Sequence, residues 1–172
     1  NFIDLERFKK QKKDHFKKAI CPLDEKLIVH TSNFRKVKRV QDVIDVFNRV
    51  RKVIPSKLLM VGDGPERHTM EELCRSMCNI DDVRFLGKLE AVEEVLSVSD
   101  LFLMTSEKES FGLAALEAMA CEVPLICSRA GGMPELNVDG VSGYICDIGD
   151  IEDMAKKSIH VLDGDNLPKF KA

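Results

Sequence analysis

Short, nearly continuous apolar runs alternate with helical stripes along this chain, and that alternation restricts the fold more than any other feature. The runs are Lys26-Leu-Ile-Val-His-Thr31, Lys57-Leu-Leu-Met-Val61, Val83-Arg-Phe-Leu86, Leu101-Phe-Leu-Met-Thr105, Pro124-Leu-Ile-Cys127 and Gly143-Tyr-Ile-Cys146. A strand that is apolar on both faces has to be covered on both, as in a parallel sheet between helices. Apolar periodicity predicts helices over 40–53 (ended by Pro55), from Pro65 to about Met77, and over 91–98, 113–120 and 151–162. A further helix over 4–20 is predicted to precede the first strand. Repeated βα units predict an α/β fold, a Rossmann-like, mostly parallel sheet with helices on both faces. The 172 residues, 44% of them hydrophobic, suffice for the core of about one domain.

The segment Glu109-Ser-Phe-Gly-Leu-Ala-Ala-Leu-Glu117 carries the most chemistry. It joins an apolar strand to a small-residue helix. Glu109 therefore sits in a loop at the carboxyl end of a strand, where ligands bind in open α/β sheets. Glu117 rides inside the following helix, roughly 8 Å from Gly112 at 1.5 Å per residue. That is close to the reach from a phosphate to a ribose. Backbone N–H groups at the helix start, near Phe111 and Gly112, are suited to a diphosphate. Glu117 is then expected to hold the ribose diol, and Glu109 to face the group beyond the phosphates.

A second element is basic. Ser32-Asn33-Phe-Arg35-Lys-Val-Lys38-Arg39 follows the first strand and faces the same rim. Arg35 forking onto oxygens and Lys38 as a point charge would neutralise a diphosphate and stabilise it as it leaves. A solvated basic loop is the plain alternative. Residues 1–39 carry a net +7 and the rest a net −10, so the basic excess is local. The Lys9–Lys18 cluster reads as a solvated helix face. The overall charge of −3 gives no bulk attraction to nucleic acid.

Other features are weaker. Gly62-Asp-Gly64-Pro65 is a tight strand-to-helix loop that reads equally as a turn or a ligand contact. It is not the G-x-G-x-x-G dinucleotide fingerprint, and the lack of that fingerprint after strand one argues against a dinucleotide-dependent oxidoreductase. Gly131-Gly-Met-Pro-Glu135 follows strand five, with Glu135 expected in a structural role. His15, His30, His68 and His160 show no metal spacing; His30 reads as a satisfied core polar group and Asp100 as a surface or turn residue. The six cysteines form no C-x-x-C pair and read as buried, reduced thiols of a cytoplasmic protein. No apolar span of about 20 residues predicts membrane insertion.

Together these elements resemble the C-terminal, donor-binding domain of GT-B fold glycosyltransferases of the retaining family 4. The resemblance covers nearly all of residues 1–162. Its strongest part is the glutamate–seven–glutamate signature, met by Glu109 and Glu117, with Gly62-Asp-Gly-Pro65, Gly131-Gly-Met-Pro-Glu135 and Asp139-Gly-Val-Ser-Gly143 in order. It implies that Glu109 contacts the transferred sugar, Glu117 the ribose, backbone from Phe111 to Leu113 the diphosphate, and backbone at Phe85-Leu86 the base. Gly62 and Ser110 fall within the implied donor site, and no metal is implied. The family often has an Arg five residues before the Lys matched by Lys38. Asn33 stands there instead, which leaves Arg35 to supply the charge. The string 32–39 is most similar to a narrower branch, implying UDP-N-acetylglucosamine as donor and L-malate as acceptor, in bacillithiol biosynthesis. Another nucleotide-sugar with a glycan or lipid acceptor is the alternative, as is a non-catalytic nucleotide-binding module. The chain is read as one half of a GT-B enzyme without its N-terminal acceptor domain: it is expected to bind donor without turnover, and homo-oligomerisation stays open.

Overall fold

A computed structural model describes residues 3–9, 14–77, 80–109 and 112–163. Its centre is one six-stranded sheet: β1 Lys26–Thr31, β2 Ser56–Val61, β3 Val83–Gly87, β4 Leu101–Met104, β5 Leu125–Ser128 and β6 Gly143–Cys146. The strands are parallel and ordered β3-β2-β1-β4-β5-β6. The order reverses between β1 and β4, so a crevice opens beyond their carboxyl ends.

Alternation within the strands sorts the core into two layers. Ile28, Leu58, Met60, Leu101, Leu103 and Ile126 face α2 (Val40–Arg51), α3 (Arg67–Ser76) and α7 (Ile151–Leu162). Leu27, Val29, Leu59, Val61, Phe102, Met104, Leu125 and Cys127 face the layer containing α1 (Asp14–Ile20), α4 (Val92–Leu96) and α5 (Leu113–Ala120). Ala115 and Ala118 are fully buried on α5, so small side chains bring this helix close to the sheet. A short helix α6, Met133–Leu136, and two 3₁₀ turns at Lys36–Lys38 and Ile80–Asp82 complete the described elements.

The sequence expectations need correction in three places. The helix predicted over 4–20 is helical only over Asp14–Ile20 among the described residues. Asp4 instead closes a turn, its carboxylate accepting from the Glu6 amide at 3.0 Å and its carbonyl from Phe8 N–H at 2.8 Å. That is the bonding of a helix N-cap, but residues 5–9 do not continue it as a helix, and buried Phe8 pins the segment to the α5 side of the sheet. The helix expected from Pro65 begins at Arg67, with Glu66 as its N-cap and the Glu66 amide donating to Phe34 O at 3.0 Å. Asp100 is not a surface residue. It is 8% exposed and accepts from Lys17 Nζ at 2.7 Å and from the Leu27 amide at 2.8 Å, tying α1 to two strands.

Cys21, Cys74, Cys127 and Cys146 are buried free thiols, and Cys121 is buried as well. Burial pushes the Cys21, Cys74 and Cys127 thiols up to about 11, away from the nucleophilic thiolate. Cys78 lies outside the described residues. Among the described residues no helix is long and apolar enough to cross a membrane.

Candidate active site

The crevice at the β1/β4 switch point is a cleft of about 350 Å³. Its wall from the β1 side includes His30, Ser32, Asn33 and Lys38; the β4 side supplies Ser106 and Glu109, and α5 supplies Leu113, Ala114 and Glu117. The cationic loop and the start of the glutamate helix, far apart in sequence, thus meet in one cavity. A larger depression of about 690 Å³ lies at the opposite, amino edge of β1, among Lys17, Lys18, Cys21 and Glu25. It lies away from the switch point, and Lys17 there is already paired with Asp100.

Lys38 Nζ donates to Glu109 Oε2 at 3.0 Å, and Ser106 Oγ donates to the same oxygen at 3.1 Å. Both partners are largely shielded, with side chains 20% and 12% exposed. The loops that carry them are bound together. Thr105 Oγ1 lies 3.0 Å from Lys38 O and 2.9 Å from Arg39 O, and the Glu107 amide donates to Val37 O at 2.9 Å. Gly131 supports Glu109 from behind. It has φ +52, and a Cβ built there would lie 1.9 Å from the Glu109 carbonyl oxygen. Only glycine fits that approach without displacing the glutamate loop.

His30 forms the floor of the cleft. It is 1% exposed, with Nδ1 2.8 Å from Leu103 O and Nε2 2.9 Å from Ser32 Oγ. A carbonyl only accepts, so Nδ1 carries the proton and Nε2 accepts from the Ser32 hydroxyl. Ser32 Oγ in turn accepts from the Phe34 amide at 3.1 Å. Phe34 has φ 49, a left-handed conformation rare for a bulky residue. The His30–Ser32 chain and the buried Phe34 ring hold the loop in that shape and so deliver Asn33 and Lys38 to the cleft. Burial lowers the His30 pKa to about 4, leaving the ring neutral. The sequence marked His30 as a core polar group; it missed that the ring links strand pairing to the basic loop, because that link needs the β1–β4 neighbourhood.

Glu117 is half-buried. Burial raises its carboxyl above the ordinary range, Arg7 opposes the rise and Glu93 adds to it. Arg7 is anchored to Glu93 at 2.9 Å, so the N-terminal segment contributes a charge near Glu117 that spacing along the chain did not reveal.

The remaining sequence candidates are placed as follows. Gly112 is the N-cap of α5, with φ 61. Arg35 is exposed, begins the 3₁₀ turn and is not among the residues that wall the cleft. Gly62 has φ +122, and its added Cβ would lie 1.7 Å from Ser32 O, so it lets β2 back onto the basic loop from outside the cleft. The Phe85 ring packs edge-on against Phe34 at 6.3 Å, and Leu86 is 37% exposed; neither walls the cleft. Ser110 and Phe111 lie outside the described residues. Among the described residues no group of three or more His, Cys, Asp or Glu side chains forms a candidate metal centre.

Comparison with known proteins places this geometry. The family model described as glycosyl transferases group 1 matches residues 11–170. The chain is 47% identical over 168 residues to N-acetyl-alpha-D-glucosaminyl L-malate synthase of Bacillus anthracis, covering 97% of this chain and 44% of that protein. It is 30% identical over 170 residues to D-inositol 3-phosphate glycosyltransferase of Mycolicibacterium smegmatis, covering 94% and 38%. The chain therefore spans less than half the length of these curated relatives. In fold it is similar to Anabaena Alr3699/HepE, solved in complex with UDP (TM-score 0.86, 24% identity, 99% of this chain and 48% of that one). It is also similar to the separately solved C-terminal domain of LpcC, a glycosyl transferase group 1 family protein from Francisella tularensis (TM-score 0.84, 23% identity, 99% and 92%). With most of its length matched by one family model and its sheet matching the GT-B domains, the chain belongs to the glycosyl transferases group 1.

Proposed function

We propose that this chain is the donor-binding half of a retaining glycosyltransferase that takes N-acetylglucosamine from UDP-N-acetylglucosamine and delivers it to L-malate. The observation that carries the reading is the joint lining of one cleft by Lys38, Glu109, Glu117 and the first residues of α5. A diphosphate fits between the Lys38 ammonium and the α5 amides, where fixed donors stabilise charge growing on the leaving group. Glu117 then receives the ribose hydroxyls. Glu109 faces the sugar and orients it, without forming a covalent bond. The acceptor hydroxyl gives its proton to the departing phosphate oxygen. Arg35, exposed beside the cleft, adds positive potential at its mouth. Neutralisation by cationic side chains and amides assigns no part to a metal. The similarity to the malate synthase supports this donor and acceptor, and a cytoplasmic location. The acceptor-binding half lies outside this chain, so the chain alone binds donor and transfers nothing.

The test is calorimetric titration with UDP, GDP, ADP and their sugars. UDP compounds are expected to bind most tightly. Lys38→Ala is expected to weaken UDP by about 1.5–3 kcal/mol, the size of a charge-assisted contact. Unchanged UDP affinity would remove Lys38 from the site. Sugar transfer by the chain alone would refute the two-half reading.

A further inference from the structure

Lys38 and Glu109 hold one another at 3.0 Å, and among the described residues Lys38 has no other carboxylate partner. A diphosphate that engages the Lys38 ammonium competes with Glu109 for its charge and for its three N–H donors. We infer that this exchange makes Glu109 the residue that discriminates the intact nucleotide-sugar donor from the nucleotide product. The inference rests on the donor-binding reading above.

The asymmetry follows from what each ligand returns to Glu109. Its side chain is only 12% exposed, so water cannot fully replace a lost counter-ion. Once Lys38 turns to phosphate, the carboxylate keeps a single described side-chain donor, the Ser106 hydroxyl at 3.1 Å. Stranding a shielded charge is costly. A donor carries sugar hydroxyls beyond its phosphates, on the side of the cleft where Glu109 sits, and these replace the lost ammonium. UDP alone ends at the phosphate and replaces nothing. The same pair then favours product release. After the sugar has gone, Lys38 is drawn back to Glu109 and the diphosphate loses its cation.

A plain repulsion between Glu109 and any diphosphate would also favour removing the glutamate, but it would do so whether or not Lys38 is present. Titrating UDP and UDP-N-acetylglucosamine into the chain and its E109Q, K38M and K38M/E109Q variants separates the two. Glutamine keeps the shape and the acceptor for Ser106. E109Q is expected to tighten UDP about tenfold, the scale of one charge-assisted contact, and to tighten the nucleotide-sugar much less. In the K38M background the same substitution is expected to change UDP affinity by no more than about threefold, a residue of simple Coulomb repulsion. Thermal melting checks each fold, and Glu109→Ser carries the same expectation if the glutamine variant does not fold. Unchanged or weaker UDP binding by E109Q overturns the inference, as does an equal gain with and without Lys38. A wild-type chain that binds neither nucleotide overturns the donor reading itself, and the exchange with it.

Discussion

Replacing His30 with asparagine tests whether a neutral ring holds the cleft floor, and the size of the effect can be worked from the structure. In the folded chain His30 titrates at about 4, against an ordinary 6.5, because burial disfavours the charged ring. The folded value lies below the unfolded one, so the unfolded chain takes up the proton first. The stability that this provides is complete above pH 6.5, falls as pH drops, and is gone below about pH 4. At 1.36 kcal/mol per unit of difference it amounts to about 3 kcal/mol, of which about 2.5 is lost by pH 4.5. The charges that face the ring are Lys38 and Glu109, one lowering and one raising its pKa, and both rank behind burial. Asp45 and Glu117 have carboxyls raised by burial, which makes the fold more stable as pH falls, but they are common to both proteins and cancel in the difference. Urea unfolding of wild type and His30→Asn at pH 7, 6, 5 and 4.5 reads that difference directly. At pH 7 the variant is expected to be less stable by about 2 kcal/mol, through the lost acceptor for Ser32 and poorer packing. By pH 4.5 the gap should have closed and slightly reversed, since the wild type alone loses about 2.5 kcal/mol. A gap that stays constant across this range would refute the assignment of a neutral, buried imidazole.

Three further outcomes are expected. Glu117→Ala should reduce the preference for UDP over its 2′,3′-dideoxy analogue in parallel calorimetric titrations; a preference that survives removes the ribose role. Gly131→Ala should cost about 1–3 kcal/mol of stability in urea melts, for a left-handed conformation and a forced shift of the Glu109 loop. It should weaken UDP-N-acetylglucosamine as well, and normal binding would show that Gly131 does not set the Glu109 position. Asp100→Asn keeps an acceptor for the Leu27 amide but loses the Lys17 ion pair, so thermal melting should show a loss of about 1 kcal/mol that shrinks in high salt. A salt-independent loss would indicate that the ion pair contributes nothing.

The strands and long helices were legible because their signals are local. Lys26–Thr31 and Ile151–Leu162 follow the predicted bounds, since an apolar run or stripe carries its own periodicity. The segment from Asp4 to Phe8 was misread because Phe8 docks on a distant layer, which no local pattern records. Asp100 was misread for a related reason. A lone acid at a strand start carries no mark of burial until Lys17 and the Leu27 amide arrive from elsewhere in the chain.

For the site, the sequence by itself determined the chemistry: two glutamates with seven residues between them, a basic loop after the first strand, and glycines where backbones had to touch. These are properties of residue type and spacing. Only the tertiary structure decided that Lys38 and Glu109 share a hydrogen bond and that His30 braces the loop between them, while Arg35, Gly62, Phe85 and Leu86 stand outside the cleft wall. The reason is the strand order. β1 and β4 lie side by side although about seventy residues separate Lys38 from Glu109, and no local pattern records which strands will be neighbours.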